Sequence, residues 1–326
     1  MVLGGLAVAA SARAEDVPRL RIAQQFGLSY LPLIVAHEQG LVERYAAEAG
    51  LAHVEVVWQQ FSGGSAMNDA LISGNLDMAT AGVPPMVTIW SKTRRNLGVK
   101  GVAALGALPN FLTTNNPKIK SLADFTDADR IALPSVKVGY QPVVLQMAAE
   151  QQFGPGNQAK LDPITVSMPH PDAAIALLSH AGTIDAHFTS PPFQDRELKD
   201  PAIHKLLSSY DVLGGPCTFN VVYATTPFHD ANPKLVRAFI QALDAADAFI
   251  RRDPAAAAAL YLKEETAPLP QAEIARIVAD PANDYTVTPE RSFQYAAFMA
   301  RTGTIPEQPE SWRDLFFADI HDRAGS

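Results

Sequence analysis

Cysteine is almost absent. Cys217 stands alone in 326 residues, so no intramolecular disulfide and no cysteine metal cluster can form. A lone thiol in an oxidising compartment is tolerated mainly when buried, which places Cys217 in the core. Nowhere does an apolar run approach the ~18 residues needed to span a bilayer as a helix. No basic stripe appears either: 26 basic residues face 34 acidic ones, for a formal charge of −8. That balance argues against nucleic acid as a partner, although an acidic protein can still bind anions locally. Also missing are G-x-S-x-G, H-E-x-x-H, the P-loop and G-x-G-x-x-G. His170, His180, His187 and His204 fall on separate predicted elements at spacings that match no metal box, and chance explains them. His37, inside a predicted helix, reads as structural. No metal and no cofactor is expected.

What is present suits two α/β units. Apolar residues make up 48% of the chain, and its length is comfortable for two domains. Residues 1–14 pair an apolar run with Ala12-Arg13-Ala14, an A-x-A cleavage pattern, and read as the end of a secretory signal. The charged leading region is missing, so the true start is expected upstream, and the mature protein is expected to be soluble and exported.

The organising stretch is Phe61 to Pro85. A strand at Val54–Trp58 leads into Ser62, a good N-cap, and Ala66, Met67, Ala70 and Leu71 share one helical face. Gly74 ends that helix. A buried strand at Leu76–Ala81 follows, and Gly82-Val83-Pro84-Pro85 turns it into another helix with proline in the first turn. Two such turns at the carboxyl ends of neighbouring parallel strands bring helix N-termini and bare N–H groups to one crevice, which holds a small, often anionic, ligand. The alternative is that these glycines only make tight turns.

Further strands are predicted at Leu20–Gln24, Val99–Ala107, Phe111–Asn115, Ile131–Pro134, Ile164–Ser167 and Cys217–Ala224, with helices opening at Tyr30, Leu41, Ser135, Pro171, Pro233, Pro254, Gln271 and Thr288. One internal echo stands out. Ala181-Gly182-Thr183-Ile184-Asp185-Ala186 repeats the grammar of Ser73-Gly74-Asn75-Leu76-Asp77-Met78: glycine stops a helix, an acid follows three positions later, and a strand begins. His187 to Phe193 likewise repeats the strand-to-Pro-Pro turn of Ala81 to Pro85, so both turns are expected at the cleft. Asp69, Asp77, Asp172 and Asp185 are read as capping and turn residues.

The string Gly-Gly-Ser-Ala-Met-Asn-Asp-Ala-Leu-Ile-Ser-Gly-Asn-Leu-Asp, followed by Ala-Gly-Val-Pro-Pro, resembles the nitrate/sulfonate/taurine family of ABC-transporter substrate-binding proteins. So do Ala36 to Leu41, Ile119 to Phe125 (with phenylalanine where leucine is commoner) and the helix after Asn232, and the resemblance covers roughly 19–265. It implies an α/β, two-lobed periplasmic binding protein of type II, each lobe a mostly parallel sheet flanked by helices, with two hinge crossings. Residues 18–110 plus 222–326 would form lobe one and 111–221 lobe two. It further implies a solute receptor working with ABC permease membrane subunits in the periplasm, a monomer doing no chemistry.

The cleft-facing turns then supply the candidate ligand residues. Lobe one offers Gln25, Phe26, Leu28, Ser29, Tyr30, Ser62, Gly63, Gly64, Gly82, Val83 and Pro84; lobe two offers Ser135, Lys137, Tyr140, Thr189, Ser190, Pro191 and Phe193. The aromatics would form walls, and Gln25, Ser135 and Lys137 would orient a polar head. Lys137 is open to a second reading as an exposed lysine. Helix N-termini plus Lys137 favour a small organic anion, a sulfonate or carboxylate; the alternative is a neutral heteroaromatic such as a thiamine precursor. Thiamine-pyrimidine synthases share this fold, but their cysteine-rich motif cannot be built from one cysteine. A regulator's effector domain would carry a helix-turn-helix where this chain has an export-like segment.

Overall fold

A computed structural model describes residues 19–51, 53–265 and 269–326. The export-like segment at 1–14 lies outside the described residues. Among the described residues, ten strands divide between two five-stranded sheets. The first sheet has the order β2-β1-β3-β10-β4, where β1 is Arg19–Gln24, β2 Glu55–Gln60, β3 Met78–Gly82, β4 Lys100–Gly106 and β10 Asn220–Ala224. The second has the order β7-β6-β8-β5-β9, where β5 is Phe111–Thr114, β6 Ile131–Leu133, β7 Thr165–Ser167, β8 Ala186–Phe188 and β9 His204–Ser208. In each sheet four strands run one way and one runs against them: β10 is antiparallel to β3 and β4, and β5 to β8 and β9. Each reversed strand is the first to arrive from the other sheet's stretch of chain, so it enters from the opposite end.

The sequence grammar dictates these elements physically. β3 (Met-Ala-Thr-Ala-Gly) is buried at every position, as a central strand covered on both faces must be. The helix Pro233–Arg252 opens on proline and puts Leu235, Val236, Phe239, Ile240, Leu243, Ala246 and Ile250 on its buried side. That face packs on the helices Leu31–Glu38 and Leu41–Glu48. Cys217 is fully buried, and burial raises its thiol to about 11.

The internal echo has one physical basis in both sheets. Asp77 Oδ2 accepts the backbone N–H of Arg21 at 2.8 Å, while the Asp77 N–H returns a bond to the Arg21 carbonyl at 3.0 Å. Asp185 does the same with Arg130, at 2.8 and 2.9 Å. Each aspartate thus ties the start of its own strand to the strand beside it, which is more than the turn role expected of it. The glycines three positions earlier match as well: Gly74 and Gly182 both sit at φ 73° with open space around them. Gly182→Ala should therefore cost only the left-handed backbone penalty, about 1 kcal/mol in urea denaturation. No measurable loss would show that this turn relaxes to another conformation.

Two expected helix starts move. The helix expected from Ser135 begins at Tyr140, with Gly139 as N-cap, after a turn in which Lys137 takes φ 69°. The helix expected from Thr288 begins at Phe293. Before it, the Val287 and Glu290 carbonyls are occupied by the Ala104 and Thr218 N–H groups at 3.0 Å each, so that stretch is tied to β4 and to the chain just ahead of β10.

Candidate functional site

The two sheets meet through their turns. Gly63 precedes the helix Gly64–Ile72, and a Cβ placed on it would lie 2.6 Å from Ser135 Oγ. A Cβ on Gly82 would lie 2.6 Å from the Cβ of Tyr140. The Leu28 N–H donates across the junction to the Pro191 carbonyl at 3.0 Å. At Gly82, only bare glycine backbone allows such an approach. Between these contacts lies a cavity of about 20 Å³, room for roughly one water.

Eight of the residues expected at the site line it: Gln25, Phe26, Tyr30, Gly64, Gly82, Ser135, Tyr140 and Ser190. The others surround it in distinct ways. Gly63 is the close approach just described, and Leu28 and Pro191 form the crossing bond. Ser29 is buried behind the wall and accepts from Asn220 Nδ2 at 2.8 Å. Val83 and Pro84 start the helix Val83–Thr93, and the Val83 N–H is taken by the Phe219 carbonyl at 3.1 Å. Thr189 is fully buried, its N–H on the Phe111 carbonyl at 2.9 Å. Phe193 stacks on His170 with centroids 5.6 Å apart. Ser62 is exposed and caps nothing; the N-cap is Gly63, whose extended backbone at φ −173° leads into the helix.

Lys137 does not reach the cavity. It is exposed, and its charge acts on Asp162, offsetting part of the rise that burial causes there. The left-handed turn at Lys137 directs the chain so that Ser135 and Tyr140, on either side of it, take the wall positions.

Gln141, His170, Phe219 and Asn220 line the cavity too, and nothing in the sequence pattern singled them out. Phe219 packs against Tyr140 with centroids 4.5 Å apart. His170 was one of four histidines read as scattered by chance, yet its Nδ1 lies 2.8 Å from Nε2 of His187, whose Nδ1 lies 2.6 Å from Glu197 Oε1. Sheet pairing and two short helices bring these groups together. The Ser190 hydroxyl is buried at the wall without a partner among the described residues, an unmet hydrogen bond that a bound molecule can fill.

The electrostatics are those of neutral dipoles. No lysine, arginine, aspartate or glutamate is among the described residues that line the cavity. Burial, then the neighbouring His187, holds His170 well below the ordinary histidine range, so its ring is neutral. Helices beginning at Gly64, Val83, Tyr140 and His170 all start at or beside the wall. Their positive ends favour acceptor atoms or negative charge. Aromatic walls, neutral polar groups and helix starts bind and orient a small molecule; they supply no nucleophile with a base beside it.

The sequence model of the NMT1-like family matches residues 13–262. The chain belongs to the NMT1-like family. Solved structures carry the same fold as this member. The alkanesulfonate-binding protein of Xanthomonas axonopodis pv. citri, bound to MOPS, aligns over 90% of this chain and 96% of its own, with a TM-score of 0.71 at 20% identity. The periplasmic nitrate-binding protein of Synechocystis PCC 6803 aligns over 92% and 85%, with a TM-score of 0.71 at 16% identity. A Candida albicans protein described as having the generic periplasmic binding protein fold aligns over 92% and 96%, with a TM-score of 0.68 at 14% identity. The fold is therefore that of the periplasmic binding proteins. Among curated protein sequences none matches. No helix among the described residues is long and apolar enough to cross a membrane.

Proposed function

We propose that this protein is the extracytoplasmic solute receptor of an ABC importer, binding one small molecule between its two sheets and delivering it to membrane permease subunits. The lobes would be 18–110 plus 222–326 and 111–221, closing on the solute by a hinge motion, and the receptor would act as a monomer without chemistry on its cargo. The observation that carries this reading is the junction of turns from both sheets, whose cavity, about one water in size here, opens to admit a solute. That cavity is walled by Phe26, Tyr30, Tyr140 and Phe219, and contains the Ser190 hydroxyl, unpartnered among the described residues.

For the solute, the uncharged lining favours a small, neutral, planar heteroaromatic, of which a thiamine precursor is an example. With Lys137 outside the cavity, the organic anion has in its favour the helix N-termini and the sulfonate- and nitrate-binding proteins that share the fold, and it is the second reading. A thermal-shift screen of residues 15–326 against heteroaromatics, sulfonates, carboxylates and nitrate separates the two. A ligand at 100 times its Kd should stabilise by roughly 2.7 kcal/mol. The heteroaromatic reading expects pyrimidines to raise the melting temperature, and Lys137→Ala to change their affinity by less than about twofold, as for an exposed charge. A shift from sulfonates alone would favour the anion, and consumption of a candidate would overturn the receptor.

A further inference from the structure

A chain of buried polar side chains runs from the second sheet to the cavity wall, and its hydrogens can be placed from its outer end. At the inner end, Glu197 is fully buried; its Oε2 accepts from the Thr113 hydroxyl at 2.7 Å, and its Oε1 faces His187 Nδ1 at 2.6 Å. At the outer end, Asn110 Nδ2 donates to the Leu108 carbonyl at 3.0 Å, which fixes Asn110 Oδ1 as the acceptor for Gln141 Nε2 at 2.9 Å. The second hydrogen of that amide meets His170 Nε2 at 3.3 Å. His170 Nε2 must then be bare, so the single proton of this neutral ring sits on Nδ1 and donates to His187 Nε2 at 2.8 Å. The reverse order would set His170 Nε2–H against Gln141 Nε2–H, donor against donor. His187 Nε2, accepting the His170 Nδ1–H, is bare in turn, so the proton of that ring sits on Nδ1 and donates to Glu197 Oε1: the outer end sets one polarity for the whole chain.

That polarity reaches the cavity at Gln141. Both amide hydrogens are used inside the protein, its Oε1 has no hydrogen-bond partner among the described residues, and the residue lines the cavity. We infer that Gln141 is a specificity residue whose Oε1 reads a hydrogen-bond donor on the solute, with Glu197, His187, His170 and Asn110 acting as positioning residues that keep the amide from turning over. This rests on the receptor reading and narrows it: the solute carries an N–H or O–H at the edge that meets the second sheet's wall. A solute whose only polar atoms there are acceptors would face Oε1 lone pair to lone pair.

Two measurements test this. Nitrogen-15 NMR of the histidine rings in the whole chain should show His170 as the Nδ1–H tautomer with bare Nε2, and the opposite tautomer would overturn the chain of donors. Calorimetry at about pH 8, above the ordinary histidine range, with 4-aminopyrimidine and 4-methylpyrimidine as probes then reads the consequence. The amino probe should bind about tenfold more tightly or better, since an acceptor left unpaired in a buried site is costly. Gln141→Met should bring the two probes within about twofold of each other by abolishing that acceptor. Glu197→Gln, which keeps an oxygen for His187 Nδ1–H, should retain the preference. Equal binding of the probes to the natural protein, or a preference that survives in Gln141→Met, would overturn the proposal while leaving the receptor standing. Binding of neither probe, with His170 in the expected tautomer, would instead overturn the heteroaromatic solute and keep the orientation of Gln141.

Discussion

Gly82→Ala should weaken solute binding by about 5- to 150-fold, the equivalent of the ~1–3 kcal/mol that overpacking a close contact costs. The added methyl would sit 2.6 Å from the Cβ of Tyr140, at the junction between the sheets, and neither partner is the far end of a flexible side chain. The backbone of Gly82, at φ −57° and ψ 160°, suits alanine without strain. The loss should therefore fall on closure of the two sheets over the solute, not on folding of either. Calorimetry should show the weakened affinity, and denaturation of the solute-free protein a much smaller change. Unchanged affinity would mean that binding does not need the turn of Gly82 and the start of the Tyr140 helix to meet.

Asp247→Asn should stabilise the protein by about 2 kcal/mol at neutral pH and above, and by nothing near pH 4, because it removes an acid buried without full hydrogen bonding. Asp247 is 2% exposed on the helix Pro233–Arg252, and its Oδ1 has no partner among the described residues. Burial is the main cause that drives its carboxyl well above the ordinary range; Asp244 and Asp284 add to the rise and Arg251 opposes it. The folded state therefore holds a proton that the unfolded chain releases near pH 4. Stability of the natural protein falls as pH rises from there toward the folded value, and is constant beyond it. Asp195, raised to about 6, and Glu265, raised to about 7, both mainly by burial, slope the same way. Melting curves from pH 4 to 8 should diverge as pH rises if Asp247 acts as described; parallel curves would show that it is not the group responsible.

Much of the fold was legible because it is written in local chemistry. A glycine that ends a helix, an aspartate three positions on and a small-residue strand leave few options, and the same grammar at Ser73–Met78 and Ala181–Ala186 gave both strand starts. Half-legible was the site. Turns after strands brought Gln25, Phe26, Gly64, Gly82, Ser135 and Ser190 to the cavity, since helix starts at strand ends must converge. Lys137 misled because its position in the chain says nothing about a left-handed φ, which turned its side chain to solvent. His170, His187 and Glu197 were illegible for the opposite reason. Their juxtaposition depends on where β8 lies in its sheet and how two short helices fall across it, and no spacing along the chain encodes that. Asn220 and Phe219 were passed over inside a strand that read only as apolar.

The place of β10 bears on how the molecule is assembled. All five strands of the second sheet come from one uninterrupted stretch, Phe111 to Ser208, whereas β3 and β4 are joined within the first sheet by β10, which the chain supplies after that stretch is complete. Local pairings close sooner than distant ones. The middle of the chain can thus finish its own sheet while the earlier strands still stand apart with a slot between β3 and β4. The last strand to arrive seals that slot, so the unit made of the two chain ends matures around an insert that is already folded. A break in the chain between Ser208 and Asn220 would accordingly spare the second sheet and leave the first one split.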